Sequence, residues 1–335
     1  MFHQTTIKTF TIALLFAGMA LYTLFASFYG RELIIEASYL VILAISLDMV
    51  AGYGGMISLC HGAIFGLGAY VFAVLTSMLG LSPFVALVAA IAAGGVFGLF
   101  VGAVTSRTSG IFFIMTTLAF GQMVYVYVFE NRALGGDDGL SGVERMDLSF
   151  LGIDTGDSMQ FALVAVALAV LTYLIAAFIM RSGFGRTLVG IRTNEVRMRA
   201  LGLPVLRYKA FAFGISGALA ALAGTIAAQQ TMFVSPEMIS WMVSGEALVI
   251  VILGGLGTLV GPAIGAVLFV FLQHEVSEIT RYWHMVVGIV LILVVVLGNR
   301  GAYGQIEHMI ESRRRKAPQA ALHDATVAEK DASHA

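Results

Sequence analysis

Three ionisable side chains fall inside or at the edge of long apolar runs: Asp48, His61 and Glu246. A charge at hydrocarbon depth is costly, so such a residue is first read as a functional site. Asp48 and His61 share the stretch LDMVAGYGGMISLCHGAIFGLGAY at 47–70, where Ser58 adds a hydroxyl. Gly52, Gly54 and Gly55 can break a helix there. Asp48 also fits a plainer place at the inner membrane interface, where charge is cheap. Glu246 opens the run EALVIVILGGLGTLVGPAIG at 246–265. It can line a pathway, or pair with His61 or a backbone group. Asp48, Ser58, His61 and Glu246 are therefore the candidates for lining a translocation path.

The glycines around these residues are read first as packing. Gly62 and Gly66 form a small-xxx-small face, and Gly257, Gly261 and Gly265 recur every four residues, as on one helix face. Gly254, Gly255 and Pro262 favour a sharp reversal or an interrupted helix. The lone Cys60 reads as a small buried hydrophobe. No lysine follows a glycine, so there is no Walker A phosphate loop. His-Glu-x-x-His, Cys-x-x-Cys and Gly-x-Ser-x-Gly are absent too, so no metal or nucleophile motif is seen. Two carboxylates at depth are few for a proton relay, which weakens a stand-alone secondary transporter.

The elements that must hold these residues are membrane helices. Of 335 residues, 59% are hydrophobic and only 12% charged, against about 25% charged in soluble domains. Such a chain lacks the polar surface to cover a soluble fold. Spanning runs of about 20 residues are read at 9–29, 33–51, 57–79, 84–105, 111–129, 160–180, 210–230, 241–257, 259–277 and 283–299. The expected fold is an all-α polytopic bundle of about ten spans (eight to ten), its third segment glycine-broken or re-entrant. The first run is too long for a signal-peptide core and lacks an Ala-x-Ala cleavage site.

Charge gives the spans a direction. With an inside N-terminus, only Arg31, Arg132, Arg145 and Arg281 of the 19 Lys and Arg residues lie outside, as the positive-inside rule requires. The outer 131–159 loop carries six acidic residues. The inner 181–209 stretch, RSGFGRTLVGIRTNEVRMRALGLPVLRYK, holds seven basic residues and one acid, Glu195. Within it Thr193–Leu201 reads as a short helix capped by Asn194, ended by Gly202 and stopped by Pro204. Such a helix can dock into a partner, but composition alone favours a basic loop obeying the charge rule. Residues 1–312 form the membrane domain, and 313–335 read as a disordered inner tail.

Three segments together resemble the inner-membrane permeases of branched-chain amino acid ABC importers. They are 47–70, then Thr193–Gly202 with Tyr208-Lys209, then Val234-Ser235-Pro236-Glu237, Glu246 and Val251–Pro262. The resemblance covers most of 35–300 in the family's order and spacing. It implies a non-enzymatic transport subunit of the bacterial inner membrane, with both termini cytoplasmic. The expected partners are a second homologous permease, two ATPase subunits that bind ATP and Mg, a periplasmic binding protein and an amino-acid substrate; this chain needs no cofactor of its own. It turns Asn194, Glu195, Arg197, Arg199, Ala200, Leu201 and Gly202 into the coupling element for the ATPases. Asp48 stands where the family is expected to carry a neutral amide, and Cys60 where it carries glycine. The substrate therefore stays open between branched-chain and other amino acids, urea and short amides, as does homo- or heterodimeric permease pairing.

Overall fold

A computed structural model describes residues 6–146 and 154–279, with isolated positions up to 292. Among the described residues eight helices are long and apolar enough to cross a membrane. In chain order the helices are α1 (Thr6–Phe25), α2 (Phe28–Asp48), α3 (His61–Ala73), α4 (Pro83–Thr105), α5 (Ile111–Glu130), α6 (Ser158–Arg181), α7 (Gly183–Thr193), α8 (Glu195–Ala200), α9 (Val205–Thr231), α10 (Trp241–Gly254) and α11 (Val260–Ile279). One π-helical turn, Met49–Tyr53, prolongs α2, and another, Val74–Met78, prolongs α3. The only strands among the described residues are the two-residue pieces β1 (Leu140–Ser141) and β2 (Phe233–Val234), paired antiparallel. The protein is a multi-pass membrane helical bundle. The expected 283–299 span lies outside the described residues.

The core is built on α2, α3, α4 and α9. Helix α2 is the most enclosed, with Ala37, Val41, Ile42 and Ile45 fully buried. The most extensive helix pair is α4 with α9. Its cause is in the sequence: Gly94, Gly98 and Gly102 recur every four residues on α4 and face Ala221, Gly217, Phe213 and Ala210 of α9. With no hydrophobic drive between helices in lipid, close backbone approach through small residues supplies the packing. A Cβ on Gly98 would sit 2.6 Å from the Phe213 carbonyl oxygen. By contrast α5 buries only the stripe Phe113, Thr117, Gly121 and Val128; most of its surface is open.

Helix depth follows from α9, whose 27 residues rise about 40 Å at 1.5 Å each. Ser216, eleven residues along, touches His61 at the start of α3. So α3 begins partway through the bundle, and the preceding irregular segment 54–60 climbs to that depth. Helix α10 begins at the same depth, because Gly62 abuts Ser240 and Ser244. It has 14 residues, too few to span alone. The expected 241–257 span is thus a half-helix, entered through the 3₁₀ turn Pro236–Ile239. The expected break in the third segment falls before α3 rather than within it.

Candidate functional site

The broken segments meet in a buried hydroxyl network. Ser244 Oγ accepts from Gly62 N at 2.7 Å and donates to the Leu59 carbonyl at 2.9 Å. Leu59 N donates to Thr117 Oγ1 of α5 at 3.3 Å, and Cys60 N donates to Ser58 Oγ at 3.1 Å. These contacts satisfy backbone groups that an interrupted helix leaves without partners. Ser216 Oγ donates to the Ser46 carbonyl at 2.6 Å and lies 2.8 Å from His61 Nε2. A hydroxyl has one proton, so Ser216 accepts from His61 and Nε2 carries the ring proton. His61 Nδ1 has no hydrogen-bond partner among the described residues. His61, Ser58 and Cys60 are all fully buried. Next to the junction, Ile57, Trp241 and Met242 are exposed. A half-helix, α10, starting at mid-depth beside the similarly placed start of α3 is the setting in which transporters place their binding sites.

The second centre is the end of the bundle that carries α7 and α8. Helix α7 occupies the first part of the basic 181–209 stretch and buries Gly185, Leu188 and Ile191; the apolar spacing of Phe184, Leu188 and Ile191 is its signal in the sequence. Asn194 accepts from Arg197 N at 2.9 Å and caps α8. At the far end Leu203 N donates to Met198 O and Gly202 N to Arg199 O, the paired Schellman bonds. They place Gly202 at φ +78°, a conformation cheap only for glycine. Glu195 accepts from Arg199 at 2.5 Å and from Lys209 of α9 at 2.7 Å. Burial raises the Glu195 carboxyl, but Lys209 and Arg199 outweigh that and hold it below the usual range. Met198 lies against Gly190 of α7, so α7 and α8 form one unit. Facing away, Val196 is 78% and Leu201 70% exposed, with Ala200 exposed beside them.

Asp48 joins α2 to the α10–α11 turn. Its carboxylate accepts from Gly257 N at 2.6 Å and Leu259 N at 3.1 Å, fastening the turn that leads into α11, whose first-turn amide Gly261 N is held by Thr258 Oγ1 at 2.9 Å. It is fully buried. On the other side of the π-turn, Arg192 Nη1 donates to the Gly52 carbonyl. A cavity of about 460 Å³ opens here, lined by Gly55, Ile57, Ser109, Arg192, Glu195 and Lys209 among others.

The expected residues thus divide between two places. Ser58, His61 and Gly62 join the mid-depth junction, and Gly66 packs on Ile239 just beyond it. Asn194 through Gly202 form the α8 unit, with Arg197 and Arg199 exposed on it. Glu246 joins neither: it lies within electrostatic range of Glu36 and Tyr39 on α2, and His61 pairs with Ser216 instead. Gly261 and Gly265 pack α11 onto Gly254 and Ile250, whereas Gly257 sits in the turn at φ +76° rather than on the helix face. Sequence reading missed Ser216, Ser244, Lys209 and Arg192. Only distance in the chain hid the first two; the last two read as ordinary members of a basic loop.

Comparison with known proteins places the chain in a family. Residues 30–295 match the model of the family described as branched-chain amino acid transport system / permease component. The Escherichia coli high-affinity branched-chain amino acid transport system permease protein LivM is 31% identical over 288 residues, covering 78% of this chain and 67% of the relative. The high-affinity branched-chain amino acid transport system permease protein LivH of Salmonella typhimurium is 26% identical over 303 residues, covering 86% of this chain and 97% of the relative. The ribose import permease protein RbsC of Haemophilus influenzae is 29% identical over 158 residues, covering 45% and 49%. No solved structure matches.

Proposed function

The chain belongs to the branched-chain amino acid transport permease family, and from that premise we propose that it forms, with a second homologous permease, the path of a branched-chain or related amino acid across the bacterial inner membrane. A periplasmic binding protein delivers the substrate, and two ATPase subunits on the cytoplasmic side supply the energy. This chain carries out transport, not catalysis, and holds no cofactor; ATP and Mg sit on the ATPases. Both termini face the cytoplasm on the charge distribution along the sequence.

The observation that carries the reading is α8. A six-residue helix is unstable alone, yet this one is capped at both ends and anchored to α9 by Glu195 and Lys209. Outside the spans it holds Val196, Ala200 and Leu201 outward. Such a face, rimmed by Arg197 and Arg199, fits a groove on an ATPase subunit. The mid-depth junction of Ser58, His61 and the α10 entrance is the pathway counterpart. Asp48 acts from the structural side, by holding the turn before α11, and Glu246 stands on α10 facing Glu36 and Tyr39 of α2 electrostatically.

Val196→Asp and Leu201→Asp test the docking. Each is expected to abolish co-purification of the ATPases while the chain still inserts and pairs with its partner permease. ATPases retained by both variants would rule out α8 as the docking element. A urea or short-amide permease is the second reading, because Asp48 and Cys60 depart from the pattern the resemblance implies. Competition of uptake by leucine, urea and acetamide separates the two.

A further inference from the structure

Between the docking helix and the broken spans, one side chain bridges the gap. Arg192 is the penultimate residue of α7 and lies three residues before Glu195. Its guanidinium donates to the carbonyl of Gly52, inside the π-turn that ends α2. That carbonyl belongs to the last turn of a helix, where no intrahelical partner is available. The stem of Arg192 lies on Gly55: a Cβ there would come within 2.8 Å of Arg192 Cγ, and Gly55 sits at φ +69°. So Arg192 touches the π-turn with its head and the start of the irregular 54–60 segment with its stem.

The π-turn is tied equally firmly on its far side. Asp48, at its entrance, holds Gly257 N and Leu259 N. A methyl on Gly52 would overlap both the Asp48 carboxylate and Gly257 N. Any displacement of this turn therefore moves the α10–α11 turn with it. Following 54–60 upward leads to Leu59, which Ser244 holds at the mid-depth junction. Met56 N bonds back to the Val50 carbonyl, so the first part of that segment is fastened to the turn as well. Three elements of the pathway thus converge on one turn, and Arg192 is its contact with the α7–α8 unit.

We propose that Arg192 is the positioning residue that transmits movement of the α7–α8 unit to an inner gate, the Met56–Ile57 stretch that lines the cavity beside it, through the Gly52–Gly55 turn and the contact of Asp48 with the α10–α11 turn. The proposal rests on α8 being the ATPase-docking element. Arg192 itself takes no part in holding the ATPases, since the docking face is formed by Val196, Ala200 and Leu201. Arginine suits the task because it keeps its charge at any physiological pH and offers several donors in a rigid fork. Its two attachments, head and stem, convert a displacement of α7 into a displacement of the turn rather than a slide past it.

The test uses the whole importer reconstituted in proteoliposomes, with ATPases, second permease and binding protein. Arg192→Met keeps the stem and removes the donor; Arg192→Lys keeps the charge and one donor direction. Arg192→Met is expected to retain bound ATPases yet lower uptake per ATP hydrolysed at least about tenfold, the weight of one charge-assisted hydrogen bond. Arg192→Lys is expected to recover part of it. A second readout follows the gate itself. With Ile57→Cys in a background without Cys60, labelling of the new thiol should change between nucleotide-free and ATP-bound complexes, and Arg192→Met should abolish that change. Should Arg192→Met fail to assemble, Gly55→Ala, which displaces the same stem, must lower the coupling ratio in its place. Unchanged uptake per ATP in Arg192→Met, or a labelling change that persists in it, overturns the proposal. Loss of the ATPases from Arg192→Met also overturns it, by placing Arg192 in docking. An unsubstituted chain that binds no ATPase instead refutes the functional reading beneath it.

Discussion

Replacing Glu195 by glutamine keeps the side chain's size and removes its charge. Two interactions go with it. The one to Arg199 is exposed, 56% on the arginine side, and such pairs contribute about 0.5 kcal/mol. The one to Lys209 is different, because that side chain is only 7% exposed. A charge-assisted hydrogen bond in this setting is worth about 1.5–3 kcal/mol, and the substitution leaves Lys209 charged and without its carboxylate. The sum is about 2–3.5 kcal/mol, or a factor of about 30–400 in the equilibrium that holds α8 against α9. Uptake per ATP hydrolysed in proteoliposomes is expected to fall by that order, with the chain still inserted. Lys209→Met relieves the stranded cation, so the double variant should lose less than the two single losses combined. Uptake per ATP within about threefold of the unsubstituted importer (well inside that factor), or strict additivity in the cycle, would refute the anchoring role.

Other expectations follow from the same geometry. Asp48→Ala strands two buried N–H groups, at Gly257 and Leu259, at about 1–3 kcal/mol each; thermal unfolding in detergent should show a large loss, and Asp48→Asn, with one acceptor kept, about half of it. On α4, Gly98→Ala meets the Phe213 backbone at 2.6 Å, whereas Gly95→Ala has its nearest contact at 3.4 Å. The first should destabilise by about 1–3 kcal/mol and the second be neutral or stabilising by up to about 1 kcal/mol; equal shifts would contradict the close-packing account. For pH, the Glu195 pKa is lowered in the folded protein, so its contribution is complete above the ordinary carboxylate value. It is lost only as the pH falls through the lowered one. Hydrogen-exchange protection of the 195–201 amides, corrected for intrinsic rates, should therefore stay level from about pH 6 to 8, and a loss centred in that window would contradict it.

Much of this was legible in the chain. Long apolar runs give the spanning helices within a few residues, because burying backbone groups in lipid leaves the helix as the economical choice. Asn194, Gly202 and Pro204 gave α8 its limits, since capping is local chemistry. What was not legible is depth. The run 241–257 is apolar throughout, and hydropathy measures length, not where a helix starts; α10 proved to begin at the level of His61. Pairings between distant residues were equally hidden. Nothing near His61 points to Ser216, 155 residues away. The Gly94, Gly98 and Gly102 spacing was visible, but its meaning depends on α9 lying opposite. Arg192 looked like one more positive charge until Gly52 appeared beside it.

The central claim is that separate ATPases drive this chain. Leucine uptake into proteoliposomes tests it, comparing the chain and its partner permease alone with the full complex containing ATPases and binding protein. The account predicts uptake only in the full complex and only with hydrolysable ATP. Uptake by the chain without ATPases, following an ion gradient, would contradict it.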